Sequence, residues 1–590
     1  MRRGNVKNII SNLVTVETDY PVAQNEICFI RTNQSDLMGG VIKVAGNHAF
    51  VQVYESTRGM KAGDEVSFQG HMLEATLGPG LLSKKFDGLQ NDLNKMKSVF
   101  LKRGEYTNAL EHESEWEFLP LAETGQSVQA GDWLGVVPEK NISHKIMAPF
   151  KLKGIFIVKS IVSKGIYKIT DSVAVLQDSR GAEHTVSMIQ KWPIIIPIKI
   201  HEEKPRPFQL LHTGIRLIDT MNPMAEGGTG FIPGPFGSGK TVLQHAIAKQ
   251  AQADIILFAA CGERANEIVE IFTEFSKLED PNTGGLLMDK TIIIANTSNM
   301  PVAAREASVY TAMTMAEYYR AMGLKVLLLA DSTSRWAQAL REMSNRLEEL
   351  PGTDAFPMDL SAIISNFYAR AGFVKLRNEE HGSITFLGTV SPAGGNLKEP
   401  VTEATKKVAR CYYALSQQRA DSKRYPAIDP VDSYSKYLEY LELQRTLGKQ
   451  LGNSWVDTVI EAKDILLKGK EAYEQINILG DDSVPLEYHE KYWKSELIDF
   501  VILQQDAFDA IDSYTSLERQ RYMLCAVMDV CHIEFDFQLF DEIAPYFKKI
   551  IDKLKQMNYS EFQSNEFNQY LEALGKLINQ KKAKEYGPSI

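Results

Sequence analysis

At 590 residues the chain is longer than one hydrophobic core organises, and about three to five domains of roughly 100–200 residues are expected. A net charge of −10 opposes a mainly electrostatic nucleic-acid binder, and 44% apolar with 24% charged residues is an ordinary balance for a soluble globular protein. No apolar run reaches the ~18–20 residues that span a bilayer and the first residues lack a secretory apolar segment, so a cytosolic chain is expected unless a membrane partner holds it.

The five cysteines, Cys28, Cys261, Cys411, Cys525 and Cys531, form no C-x-x-C pair. This suits a reducing compartment without a disulfide framework. The histidines show no zinc-ligand spacing, and no structural metal site is expected.

Residues 1–72 read as short strands (NLVTVET, EICFIRT, GGVIKVAGN, AFVQVYES) punctuated by Gly, Asn and Asp, which predicts a small β-barrel. Residues 73–110 form a connection from this barrel toward the α/β part of the chain. A second β-rich block at 111–192, with turns roughly every eight to twelve residues, predicts another small barrel or sandwich. From 193 to 440 apolar runs at 230–232, 255–260, 291–295, 325–330 and 383–390 alternate with helix-like segments, the pattern of an α/β domain with a largely parallel sheet. Residues 441–590 are helical in character, with few glycines and many Leu, Lys, Glu and Tyr. The fold class is multidomain α/β, with no internal repeat.

The sharpest motif is Gly234-Pro235-Phe236-Gly237-Ser238-Gly239-Lys240-Thr241, a complete G-x-x-x-x-G-K-T between an apolar strand and a helix-like run. Glycines let backbone N–H groups turn inward around phosphate oxygens, and the following helix presents its positive end. Lys240 is expected to reach the β- and γ-phosphates, and Thr241 to offer a hydroxyl to Mg²⁺.

In open α/β sheets ligands sit beyond the C-terminal ends of strands. The run 325–330 ends in Asp331, with Arg335 four residues on. A buried strand ending in aspartate suits a Mg²⁺-holding Walker B acid; the alternative is a cap for the next helix, a role Ser332 or Thr333 can also fill. The run 255–260 leads through Cys261 and Gly262 to Glu263 and Arg264. Glu263 suits a carboxylate that polarises an attacking water, and Arg264 suits neutralising the transferring group. Alone, Gly-Glu-Arg is weak and reads better as a surface ion pair; its position at a strand end beside the phosphate motif raises the first reading.

GPFGSGKT, CGERANE, NTSNMPVAAREAS, LLLADSTSRWAQALREMS and RLEELPG, together with LGPGLLSKKFDGLQ, HKIMAPF, QKWPI, SPAGGN and QQDAFD, run in order along nearly the whole chain. In these the sequence resembles the catalytic A (alpha) subunits of V/A-type rotary ATPases. The resemblance implies an N-terminal β-barrel, an inserted β-rich bulge domain, a RecA-like P-loop domain and a C-terminal helical domain. It implies ATP/ADP as substrate with Mg²⁺, and three such subunits alternating with three non-catalytic B subunits that supply an arginine finger in trans. A central rotor, peripheral stalks and a membrane sector moving H⁺ or Na⁺ complete the implied assembly, on the cytoplasmic side of a prokaryotic plasma membrane.

By motif, Arg264 and Arg335 match phosphate-facing arginines, Glu267 a residue near the magnesium waters, and Tyr425 and Phe508 the aromatics that flank adenine. Taken without the resemblance, either aromatic reads as a core residue. The sequence departs from the pattern at Pro357-Met358-Asp359-Leu360-Ser361-Ala362, where local packing and subunit contacts are placed in doubt, and at Asp429-Pro430 in place of Asn-Trp. Ser238 stands where eukaryotic vacuolar relatives carry a cysteine able to form a regulatory disulfide, so that redox control is expected to be missing.

Three rivals are weighed. A non-catalytic paralogue ordinarily lacks the intact phosphate loop and the Glu263-type acid. A secretion-apparatus ATPase lacks an insert like 111–192. A Rho-type RNA translocase needs a basic, aromatic-bearing module, which the charge does not support.

Overall fold

A computed structural model describes residues 2–33, 35–95, 104–235, 237–281, 283–298 and 300–581. The chain divides into two units, each discontinuous in sequence. One comprises Met1–Pro205, Gly227–Thr229 and Ala253–Val408; the other comprises Arg206–Glu226, Gly230–Gln252 and Ala409–Ile590.

The first unit opens with the strands Arg2–Ile10, Leu13–Glu17, Glu26–Arg31, Asp36–Ala45, His48–Val53 and Glu65–Met72, all antiparallel. The first pairs with the last and closes a barrel. Strand alternation turns Val14, Val16, Ile30, Val41, Val51 and Val66 inward, where they fill the interior.

An insert comes next, built of two four-stranded sheets. Its core holds Leu134, Phe156, Val158, Leu176 and Val186. The hairpin between Ala174–Gln177 and Glu183–Val186 turns at Asp178, whose Oδ1 accepts from Arg180 N and Ala182 N at 2.8 Å each; this is how a short acid specifies a turn. Buried polar contacts tie the insert to the rest of its unit. Trp133 Nε1 donates to Ala321 O at 3.1 Å, and buried His144 lies between Glu139 (2.6 Å) and the Tyr318 hydroxyl (2.8 Å).

The same unit carries the parallel strands Lys85–Phe86, Thr291–Thr297, Ile255–Glu263, Lys325–Asp331 and His381–Val390, adjacent in that order. Their residues are buried almost without interruption, as befits strands covered on both faces. The helix Val302–Arg320 is buried along nearly its whole length.

In the second unit Thr229–Pro233 pairs in parallel with Cys411–Tyr412, which pairs antiparallel with Tyr434–Ser435. Among the described residues its C-terminal part is helical, with Leu441–Leu451, Trp455–Leu479, Leu486–Ile498, Leu517–His532, Phe540–Tyr559 and Asn565–Lys581. In Trp455–Leu479 the buried positions Trp455, Val459, Ala462, Leu466, Gly469 and Ala472 recur every three or four residues, a single apolar stripe.

Lys463 lies on the flank of that stripe. Its Nζ donates to Asn222 Oδ1 at 2.9 Å, and burial pulls its ammonium down from 10.5 to about 8. Between those two values the unfolded chain binds more protons than the folded one, so stability rises with pH across that window. In denaturant melts from pH 8 to 10.5, the stability difference between the native chain and Lys463→Met should therefore move in favour of the native chain. A difference that stays flat would show the amine to be solvated.

Candidate functional site

In the second unit, the strand Thr229–Pro233 delivers the chain into the loop 234–239, and the helix Lys240–Gln250 leaves it. Gly237 (φ 80°) and Gly239 (φ 90°) hold left-handed backbone conformations, and a Cβ at either would meet nothing within 4 Å. Backbone conformation, and not space, is what demands glycine there. Gly234 is different: a Cβ would sit 2.6 Å from Ser238 Oγ and 2.9 Å from Leu415 Cβ. No side chain caps the helix N-terminus and its first turn carries no acid, so the positive end of the dipole is left to the loop. Lys240 Nζ donates to the carbonyls of Gly234 (2.9 Å) and Pro235 (2.7 Å), folding back over the loop. Thr241 is half-buried in the first helical turn. Phe236 lies outside the described residues.

The loop borders a cleft of about 660 Å³ within the same unit, whose lining includes Gly237, Ser238 and Gly239 and the aromatics Tyr425, Phe500, Phe508 and Tyr559. Tyr425 is 51% exposed and Phe508 94%, so neither is the core residue its sequence context alone suggests. Exposed aromatic rings beside a phosphate-type loop offer faces on which a flat ring can stack. The peptide of Gln505 donates to Tyr425 O at 2.9 Å, linking the segments that carry the two rings.

The first unit brings together the acids. Glu263 ends the strand Ile255–Glu263, and Asp331 ends its parallel neighbour Lys325–Asp331, with Ala260 in register with Asp331. A bulge between Cys261 and Glu263, with Gly262 at φ 72°, breaks the register just before the acid. A Cβ on Gly262 would stand 3.0 Å from Arg305 Cδ. Arg305, on the helix Val302–Arg320, is thus a close neighbour of this turn that sequence reasoning passed over, because nothing in its local pattern marks it.

Glu267 stands in the first turn of Ala265–Phe275, with exposed Arg264 at its N-cap position. Burial pushes the Glu263 carboxyl up to about 8, with the Asp331 charge adding to this and the Glu267 hydrogen bond and charge after it; Arg335 opposes them. Asp331 accepts from Thr389 Oγ1 at 2.5 Å, and Ser332 occupies the N-cap position of the next helix, so Asp331 is not that helix's cap. Arg335 is exposed and donates to Gln338 Oε1 at 3.2 Å. Glu263, Asp331 and Glu267 thus crowd their charges, and one of the three is forced toward protonation.

At Asp429, Oδ1 accepts from Val431 N (2.9 Å) and Asp432 N (3.0 Å), a turn an asparagine oxygen would serve equally.

The phosphate-type loop, the parallel sheet and the strand-end acids define a P-loop nucleotide-binding protein. Family models agree in detail: the nucleotide-binding domain of the ATP synthase alpha/beta family matches residues 214–435, its barrel-sandwich domain 107–195 and its N-terminal β-barrel domain 6–70. Near full-length relatives are similar throughout. The V-type ATP synthase alpha chains of Borrelia garinii subsp. bavariensis and Borreliella burgdorferi are each 45% identical over 583 residues, 98% of this chain and 99% of theirs. That of Treponema denticola is 45% identical over 582 residues, 98% of this chain and 97% of its own. The chain belongs to the ATP synthase alpha/beta family, among its V-type alpha chains.

Proposed function

We propose that this chain is the catalytic, ATP-binding subunit of a V-type rotary ATPase, interconverting ATP and ADP plus phosphate in step with H⁺ or Na⁺ movement across a membrane. The observation that carries the reading is the Lys240 loop, with its left-handed glycines and uncapped helix, opening on a cleft bordered by exposed aromatics, Tyr425 and Phe508 among them. The barrel-sandwich match over 107–195 favours it over a secretion-apparatus ATPase, and the intact loop with Glu263 favours it over a non-catalytic paralogue.

In this reading Tyr425 and Phe508 flank the adenine, and the loop amides of 234–241 hold the phosphates. Lys240 exchanges its two carbonyl partners for β- and γ-phosphate oxygens. Glu263, made more basic by its surroundings, orients the attacking water for in-line displacement once deprotonated. Arg264 and Arg335 neutralise charge on the transferring group.

Among the described residues no three His, Cys, Asp or Glu side chains converge as a metal cage. Mg²⁺ in phosphoryl transfer ordinarily takes only one or two carboxylates beside phosphate and water, and a cation would relieve the mutual repulsion of these acids. By the family resemblance, Asp331 and Thr241 are the residues that would hold it, with Glu267 on its waters, and it would supply neutralisation of the phosphate oxygens.

Among the described residues no helix is long and apolar enough to cross a membrane. The chain is read as peripheral, one of three alternating with B subunits around a central rotor, held by peripheral stalks to a membrane sector on the cytoplasmic side of a prokaryotic plasma membrane.

The test is Glu263→Gln in the assembled complex. The amide keeps the shape but cannot take a proton, so MgATP should still bind while turnover falls by roughly 10²–10⁴. Loss of nucleotide binding, or an unchanged rate, would show that Glu263 has another role.

A further inference from the structure

Phe508 has to be held by something other than its own packing. At 94% exposure its ring is fixed by almost no neighbour, so its direction follows the backbone that carries it. That backbone is tied locally: Asp506 Oδ1 accepts from Phe508 N at 2.9 Å, and Asp509 Oδ1 from Ile511 N at 2.8 Å and Asp512 N at 2.7 Å. These bonds shape the turn without fixing it to anything else.

We infer that Arg216 is the positioning residue for Phe508: a buried guanidinium that pins the aromatic-bearing loop and so sets one wall of the nucleotide cleft. The inference rests on the reading of this cleft as the adenine site. Arg216 is 1% exposed yet borders the cleft. Its Nε donates to Ile502 O at 3.3 Å, Nη2 to Gln504 O, and Nη1 to Thr515 Oγ1 at 3.1 Å and to the Asp512 carboxylate. These acceptors lie on both sides of Phe508 in the chain, so one rigid plane anchors both ends of its loop.

Gln505 completes the arrangement. Its Oε1 accepts from Arg216 N at 2.8 Å, and its Nε2 donates to Gly214 O at 2.9 Å and Asp512 O at 2.7 Å. Its peptide N–H reaches Tyr425 O, so the segments carrying Tyr425 and Phe508, two of the aromatics that border the cleft, are linked to the same arginine. The planar fork is what this needs. A lysine keeps the charge but gathers its three donors on a single nitrogen, which cannot reach Ile502, Gln504 and Asp512 together.

A merely structural arginine would weaken every ligand alike, whereas a positioning arginine should matter only to ligands that carry a base. The experiment compares ATP with inorganic tripolyphosphate, measured by titration and by kinetics on the assembled complex, for Arg216→Lys, Phe508→Ala and the double variant. Phe508→Ala should weaken ATP by roughly two- to tenfold, the scale of a lost aromatic pair. Arg216→Lys should raise the Kd and KM for ATP within the same range, leave kcat at saturation and tripolyphosphate affinity within about twofold, and add nothing in the Phe508→Ala background.

An equal loss for tripolyphosphate, or full additivity with Phe508→Ala, overturns the positioning role. So does a normal Phe508→Ala loss beside an indifferent Arg216→Lys. Unchanged ATP affinity in Phe508→Ala overturns the adenine reading itself, a separate outcome. Should Arg216→Lys fail to assemble, Asp512→Asn removes the charge pair at constant volume and should give the same base-selective loss.

Discussion

Replacing Lys240 by Ala should bring ATP turnover in the assembled complex to background, a loss of more than about 10³-fold, with the fold intact. Within the loop this is the one side chain that brings a full positive charge, and it is 8% exposed, screened from water where charge counts most. Two of its partners, the carbonyls of Gly234 and Pro235, are neutral dipoles that a phosphate oxygen can replace. Alanine favours the first helical turn at least as well as lysine, and the glycine conformations that shape the loop do not depend on this side chain. Turnover of the purified mutant complex, beside its circular dichroism and melting profile, checks both halves. Activity within about tenfold of the native complex would mean that the backbone amides and helix dipole suffice alone.

The second expectation is that the chain alone is a poor enzyme. An arginine delivered across a subunit boundary is worth ~10³–10⁵ in phosphoryl transfer. Arg264 occupies a helix N-cap position and Arg335 the first turn of another helix, both within one unit, so their backbones are held by regular structure. They suit fixed neutralisation better than a finger that arrives and leaves. In the proposed assembly the finger belongs to the B subunit, so hydrolysis depends on how closed each A–B interface is, and that dependence can couple chemistry to rotor angle. The purified chain should bind ATP yet turn over at least about a hundredfold more slowly than an equimolar mixture with its B partner, with activity following hexamer formation. Equal rates would assign the work to Arg264 or Arg335.

The fold class was legible because each layer has its own period: alternation in the barrel strands, unbroken apolar runs in the parallel strands, three- and four-residue spacing in the C-terminal helices. The phosphate loop was legible because its chemistry needs particular residues at fixed local spacing. Tyr425 and Phe508 were visible only through family resemblance. Nothing local says that an aromatic in QQDAFD should be 94% exposed. Arg216 was not visible at all, since its meaning lies in a pairing with Asp512, 296 residues away. The crowding that raises Glu263 depends on which strands become neighbours, a property of the folded sheet and not of any motif.

The discontinuity of the two units bears on how the protein is made. The closed N-terminal barrel draws all its strands from Arg2 to Met72 and can form as soon as that stretch leaves the ribosome. The nucleotide cleft cannot. Its loop is synthesised early, but Tyr425 and then Phe508 emerge much later, and the helices that carry their segment come last. Such long-range closure is slow, and the half-made unit leaves apolar helix stripes uncovered meanwhile. The nucleotide cleft can therefore be complete, with both aromatic segments in place, only after nearly the whole chain is released, which places the vulnerable interval of biogenesis before ATP can stabilise the finished unit.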